Sequence, residues 1–163
     1  MVFNLGAAIT DRQARRQWPR LDPNIYRLTS APDPNYNCVG HAMKYKVWWE
    51  PSGRPEHYWP RRVPLEDTMD AYIEAFRTRH FVLCETDEAE EGYEKIALYA
   101  DEIGRFTHVA VQLPGGEWSS KLGKARDIAT PLLDDLVGNY YGEPVRFMRR
   151  PRRVRQEASR RRR

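Results

Sequence analysis

Cysteine is scarce in this sequence: Cys38 and Cys84 are the only two in 163 residues. Two are too few for a disulfide framework. Long apolar runs are missing as well. Nothing approaches the roughly 18 consecutive apolar residues of a membrane span, so no membrane partner is expected. The start, Met1 to Thr10, has neither a basic n-region nor an apolar h-region. We therefore expect cytoplasmic synthesis, with export by a route that needs no cleavable signal left open. Zinc spacing is also missing. Cys38-Val39-Gly40-His41 would begin a site, but Cys84, His57 and His108 provide no second pair at ligand spacing. A phosphate loop fails because Trp118 stands where Gly123-Lys124 needs a glycine five positions earlier. The expectation is no metal and no cofactor.

Charge is plentiful but uneven. The formal net charge is +4, yet nine arginines against one glutamate between Arg149 and Arg163 give that stretch +8 and leave −4 for residues 1–148. We read 1–148 as a single domain and 149–163 as an arginine-rich disordered tail. Such a tail suits nucleic acid or an acidic partner through counterion release. With 40% hydrophobic residues, the rest has enough apolar material for a packed core.

Local patterns suggest an order of elements. Asp11 to Trp18 reads as a short helix, and the Pro-rich stretch to Pro34 as turns and extended chain. Asn37 is a good N-cap for a helix beginning at Cys38, with Val39, Ala42 and Met43 at helical spacing. Small Gly40 and Ala42 would let that helix approach a sheet closely and leave room for substrate. Three prolines between Trp48 and Arg62 forbid a regular element, so this is read as a loop whose Trp49 and Trp59 could wall a cleft. Pro64 to Arg79 reads as helix. Phe81–Cys84, Glu94–Ala100, Phe106–Leu113 and Glu117–Leu122 read as strands, with Pro114-Gly115-Gly116 as a hairpin signal. Asp127 to Val137 holds a helical segment capped by Thr130 with Pro131 at its first position, and Pro144–Met148 is a last edge strand. The order predicts an α+β domain, an antiparallel sheet packed on the cysteine helix.

The chemistry centres on Cys38 and His108. Backbone N–H groups at a helix start favour a thiolate, and a thiolate attacks carbonyls. Strand alternation puts Phe106, His108, Ala110 and Gln112 on one face and Thr107, Val109, Val111 and Leu113 on the other. A hairpin centred on Gly115 sets Ala110 opposite Ser120, so Ser120 projects on the histidine face and can fix the imidazole tautomer. Asp127 competes for that third role, since a carboxylate orients imidazole more strongly. Asn37 and Gln112 are candidate donors to an oxyanion. His41, one helical turn from Cys38, is placed to assist the thiol.

Asn37-Cys38-Val39-Gly40, then His108-Val109-Ala110-Val111, then Ser120 after the glycine hairpin resemble the papain-like thiol hydrolases of the NlpC type. Asn37 departs from their usual acidic residue before the cysteine. The chain is also similar to an uncharacterised bacterial group sharing Tyr-Asn-Cys-Val-Gly-His-Ala, Tyr-Trp-Pro, Glu-Lys-Ile-Ala-Leu-Tyr, Thr-His-Val-Ala and Ser-Lys-Leu-Gly, over roughly Tyr36 to Tyr141. The resemblance implies a papain-like fold and hydrolysis or acyl transfer at an amide of a peptide or protein. Two other readings stand beside it. One is a binding module that holds nucleic acid or an acidic protein with the aromatic loop and arginine tail. The other is a papain-like toxin or effector that modifies a host protein.

Overall fold

The structure, a computed structural model, describes Arg12 and residues 16–153. Half of the helix expected over Asp11–Trp18 lies outside the described residues. Seven strands are described: β1 (Arg27–Leu28), β2 (Val82–Cys84), β3 (Tyr93–Ala100), β4 (Phe106–Gln112), β5 (Trp118–Lys121), β6 (Asp127–Thr130) and β7 (Glu143–Pro151). They form one antiparallel sheet in the order β1-β6-β5-β4-β3-β7-β2. Two helices are described, α1 (Cys38–Ala42) and α2 (Met69–Arg77), with a 3-10 turn at Leu133–Leu136. This is the mixed α and β class expected, with α1 packed against β4 and β5. Among the described residues no helix is long and apolar enough to cross a membrane.

Because side chains alternate along a strand, each face of the sheet carries its own core. Ile96, Leu98, Val109, Val111 and Met148 meet Val39 and Ala42 of α1 and Tyr72, Ile73 and Phe76 of α2. On the other face Ala97, Tyr99, Ala110, Trp118 and Ile128 pack under Trp18, Leu21, Leu133, Leu136 and Tyr141. A bulge between Tyr99 and Ala100 shifts the β3–β4 register. It turns Phe106 to the helix side, where its ring stacks on Tyr72 at 3.9 Å between centroids.

Four expectations change. Phe81–Cys84 is not a buried strand: β2 is an edge with Val82 and Leu83 exposed, and only Phe81 is buried. Asp127–Thr130 is strand rather than the lead into a helix, because β1 and β5 pair with it on both sides. Trp49 is no cleft wall. It is fully buried against Tyr58 (4.4 Å between ring centroids) in the helix-side core. The arginine stretch does not begin as a tail: β7 runs through Pro151, since Arg149 pairs with Glu90 and Arg150 Nε with Glu94 at 2.9 Å. Residues 154–163, the remainder of the expected tail, lie outside the described residues.

Candidate functional site

Asn37 sets the start of α1. Its Oδ1 accepts from Gly40 N–H (3.1 Å) and Trp49 N–H (3.2 Å), and its Nδ2 donates to the Trp49 carbonyl (2.7 Å). These bonds occupy the amide with backbone, so Asn37 is a cap and a tie rather than a substrate contact. Gly40 is small for the neighbouring chain: a Cβ there would lie 2.1 Å from the Val47 carbonyl oxygen.

Cys38 thus begins the helix, as expected, but its electrostatics run the other way. The backbone N–H groups of Val109, Val39 and Cys38 favour the thiolate, yet burial outweighs them and pushes the thiol up to about 11. His108 is buried on β4. Its Nε2 lies 3.0 Å from Ser120 Oγ, the register read from the hairpin, and its Nδ1 is buried with no hydrogen-bond partner. Its ring stacks on Tyr141 at 4.0 Å, with Tyr99 edge-on at 5.4 Å. Burial, and then the nearby charge of His41, hold its pKa down at about 3. At neutral pH both groups are therefore uncharged, and no hydrogen bond joins them. The sulfur packs with the helix-side cluster, whereas the imidazole lies among residues of the opposite cluster. The β4–β5 ladder pairs only Val111 with Ser119 and Gln112 with Trp118. The β5 side of β4 beyond Val111 is thereby left out of the ladder, beside α1.

Asp127 does not serve His108. In β6 it pairs across to Lys121, on the same face as Ser119 and opposite to Ser120. It accepts from Tyr36 Oη at 3.0 and 3.1 Å and lies 3.5 Å from His41 Nδ1. His41 Nε2 in turn lies 2.8 Å from Ser119 Oγ. Two histidine–serine pairs therefore use adjacent residues of β5, one on each face. Beside the second, Lys121 is fully buried. Its Nζ donates to the carbonyls of Asp33, Gly123 and Ala125 at 2.6–2.7 Å and sits over the Tyr36 ring at 4.7 Å.

A cleft of about 600 Å³ is lined by Tyr36, His41, Gln112, Ser119 and Asp127, with Lys44, Lys46, Glu94 and Arg152 among the charged residues around it. Gln112 Nε2 donates to the Asp87 carbonyl at 2.9 Å, which uses one of its two N–H donors. Trp59 is half-buried, with its Nε1 on the Pro64 carbonyl at 3.0 Å, and lines no described cleft. A larger hollow of about 800 Å³ at the β3–β4 turn, lined by Asp101, Glu102, Arg105 and Glu143, contains none of the histidines or cysteines. Sequence reasoning missed Ser119, Tyr36, Lys121 and Tyr141. Ser119 was within reach, since the register that turns Ser120 one way turns its neighbour the other. Among the described residues no group of three or more His, Cys, Asp or Glu is arranged to hold a metal ion.

No curated protein and no solved structure matches the chain. A family model described as "Domain of unknown function (DUF7689)" matches residues 27–149, and the chain belongs to that family.

Proposed function

We infer that the chain is a cysteine-dependent amide hydrolase or acyl transferase of papain-like type, with Cys38 as nucleophile, His108 as base and Ser120 orienting the imidazole. The observation that carries this reading is the asymmetry of His108. Its Nε2 is tethered to Ser120, while its Nδ1 is buried and unpartnered. A buried ring nitrogen without a partner is costly, and it is the atom that would take a proton from a thiol. The neighbouring Val109 N–H approaches the sulfur. Because the resting pair is neutral, proton transfer accompanies attack. The thiol proton passes to His108 Nδ1 as sulfur bonds to the carbonyl carbon. The amine leaves with that proton, and water or a second amine takes the acyl group from the thioester.

The test is intact-mass measurement after incubation with 4-nitrophenyl acetate. A transient acetyl adduct on Cys38 is expected, absent in Cys38→Ala and about 100-fold slower to form in His108→Ala. Equal acetylation of Cys84, or formation indifferent to His108, would overturn the reading. A nucleic-acid module gains no support from the described residues, where Arg149 and Arg150 are engaged with glutamates.

A further inference from the structure

Three serine–histidine contacts occur among the described residues, and they differ in what the second ring nitrogen meets. Ser120 sits on His108, whose other nitrogen meets nothing and whose ring is buried. Ser52 Oγ lies 2.7 Å from His57 Nδ1, but Glu50 contacts that same nitrogen at 3.0 Å, so no relay runs through the ring. Among the described residues only His41 has a serine on one nitrogen and a carboxylate on the other, and this set lines a cleft.

We propose that Ser119, His41 and Asp127 form a second nucleophilic site, a serine esterase centre facing the 600 Å³ cleft. Ser119 Oγ lies 2.8 Å from His41 Nε2, and His41 Nδ1 lies 3.5 Å from Asp127 Oδ2, an ion-pair contact rather than a formed hydrogen bond. The carboxylate favours the tautomer with hydrogen on Nδ1, which leaves the Nε2 lone pair for the serine hydroxyl. Tyr36 Oη bonds both oxygens of Asp127 and fixes its plane. The Tyr36 ring also stacks on His41, with 6.2 Å between centroids. Burial keeps His41 below the ordinary histidine value against the pull of Asp127, so the ring is neutral and able to act as a base near pH 7.

The reaction balances without a further reagent. Ser119 Oγ bonds to the ester carbonyl carbon as its proton passes to His41 Nε2. The carbon–oxygen bond to the alcohol breaks, and the alcohol departs with that proton. Water then adds to the acyl-serine with His41 as base, releasing the carboxylic acid and restoring Ser119. Charge at the cleft selects the substrate. Lys44 is matched to Glu94 at 2.8 Å. The Arg152 side chain donates to the Tyr93 and Gln112 carbonyls, with no carboxylate partner among the described residues, and Lys46 lies over the Tyr36 ring at 5.8 Å. Lys46 and Arg152 thus leave positive charge at the rim, which fits an ester bearing an acidic group.

Fluorophosphonate labelling of the full chain, with the adduct located by peptide mass spectrometry, tests this. Ser119 oxygen displaces fluoride from phosphorus, its proton leaving through His41. The expected result is an adduct on Ser119, lost in Ser119→Ala, about 100-fold slower in His41→Gln, unchanged in Ser52→Ala, and faster for a probe with a carboxylate tail than for a neutral alkyl probe. Should His41→Gln not fold, the pH profile of the unsubstituted chain decides, since labelling must rise with deprotonation of a group below the ordinary histidine value. No adduct, an adduct on Cys38 instead, a flat pH profile, or equal rates for the two probes would overturn the proposal.

Discussion

His108 is the residue on which the electrostatics of the sheet are most exposed. Its pKa in the fold is about 3, against about 6.5 for the unfolded chain. Between these values the unfolded chain binds a proton that the folded chain refuses, so stability is full above pH 6.5 and falls as pH drops towards 3, by on the order of a few kcal/mol. Urea midpoints measured from pH 7 to pH 3.5 should therefore decline more steeply for the unsubstituted chain than for His108→Gln, in which this titration is gone. Parallel curves would mean that the ring is solvated rather than packed between Tyr99 and Tyr141. Glu94 behaves in the opposite electrostatic sense. Burial raises its pKa, but the hydrogen bonds from Lys44 and Arg150 prevail and bring it below the usual carboxylate value. Its contribution is present above the ordinary value and lost as pH falls through the lowered one. Glu94→Gln should lower the urea midpoint at pH 7 and reduce the acid sensitivity below pH 4.5.

At the level of elements, α1 has five residues, far too few to be stable alone. It is held by the Asn37 cap and by the fit of Gly40 against the carbonyls of Val47 and Tyr45, which a Cβ would meet at 2.1 and 2.9 Å. Gly40→Ala should cost roughly 2–3 kcal/mol, read as a shift of the denaturant midpoint at constant slope. An unchanged midpoint would show that the chain at 45–47 can move aside. The sequence made α1, β3, β4 and the glycine hairpin readable because each rests on neighbours in the chain: a cap, an alternation, a turn. The Ser120–His108 contact followed from the hairpin alone. What stayed hidden depended on distant partners. Thr130-Pro131-Leu132 has the local chemistry of a helix start, but pairing with β1 and β5 draws Asp127–Thr130 into the sheet and leaves only a 3-10 turn after it. The aromatics of the proline-rich loop looked free because nothing local shows Trp49 entering the core. The thiol reading missed burial for the same reason: helix-start N–H groups are visible in sequence, while the loss of water around the sulfur is not.

For the whole molecule, the late part of the chain closes the sheet. β7 pairs with β3 on one side and β2 on the other, with Arg149 and Arg150 anchored on Glu90 and Glu94. Removing residues 149–163 should thus lower the melting temperature well beyond the effect of removing 154–163 alone. Equal effects would show that the two arginines add nothing to the sheet. The position of β7 also bears on how the chain is made. β3 is almost wholly buried in the finished fold, yet it is translated some fifty residues before the strand that covers its flank is complete. At roughly 5–20 residues per second, an apolar edge stays open for several seconds in every nascent copy, a window in which chaperone capture competes with aggregation.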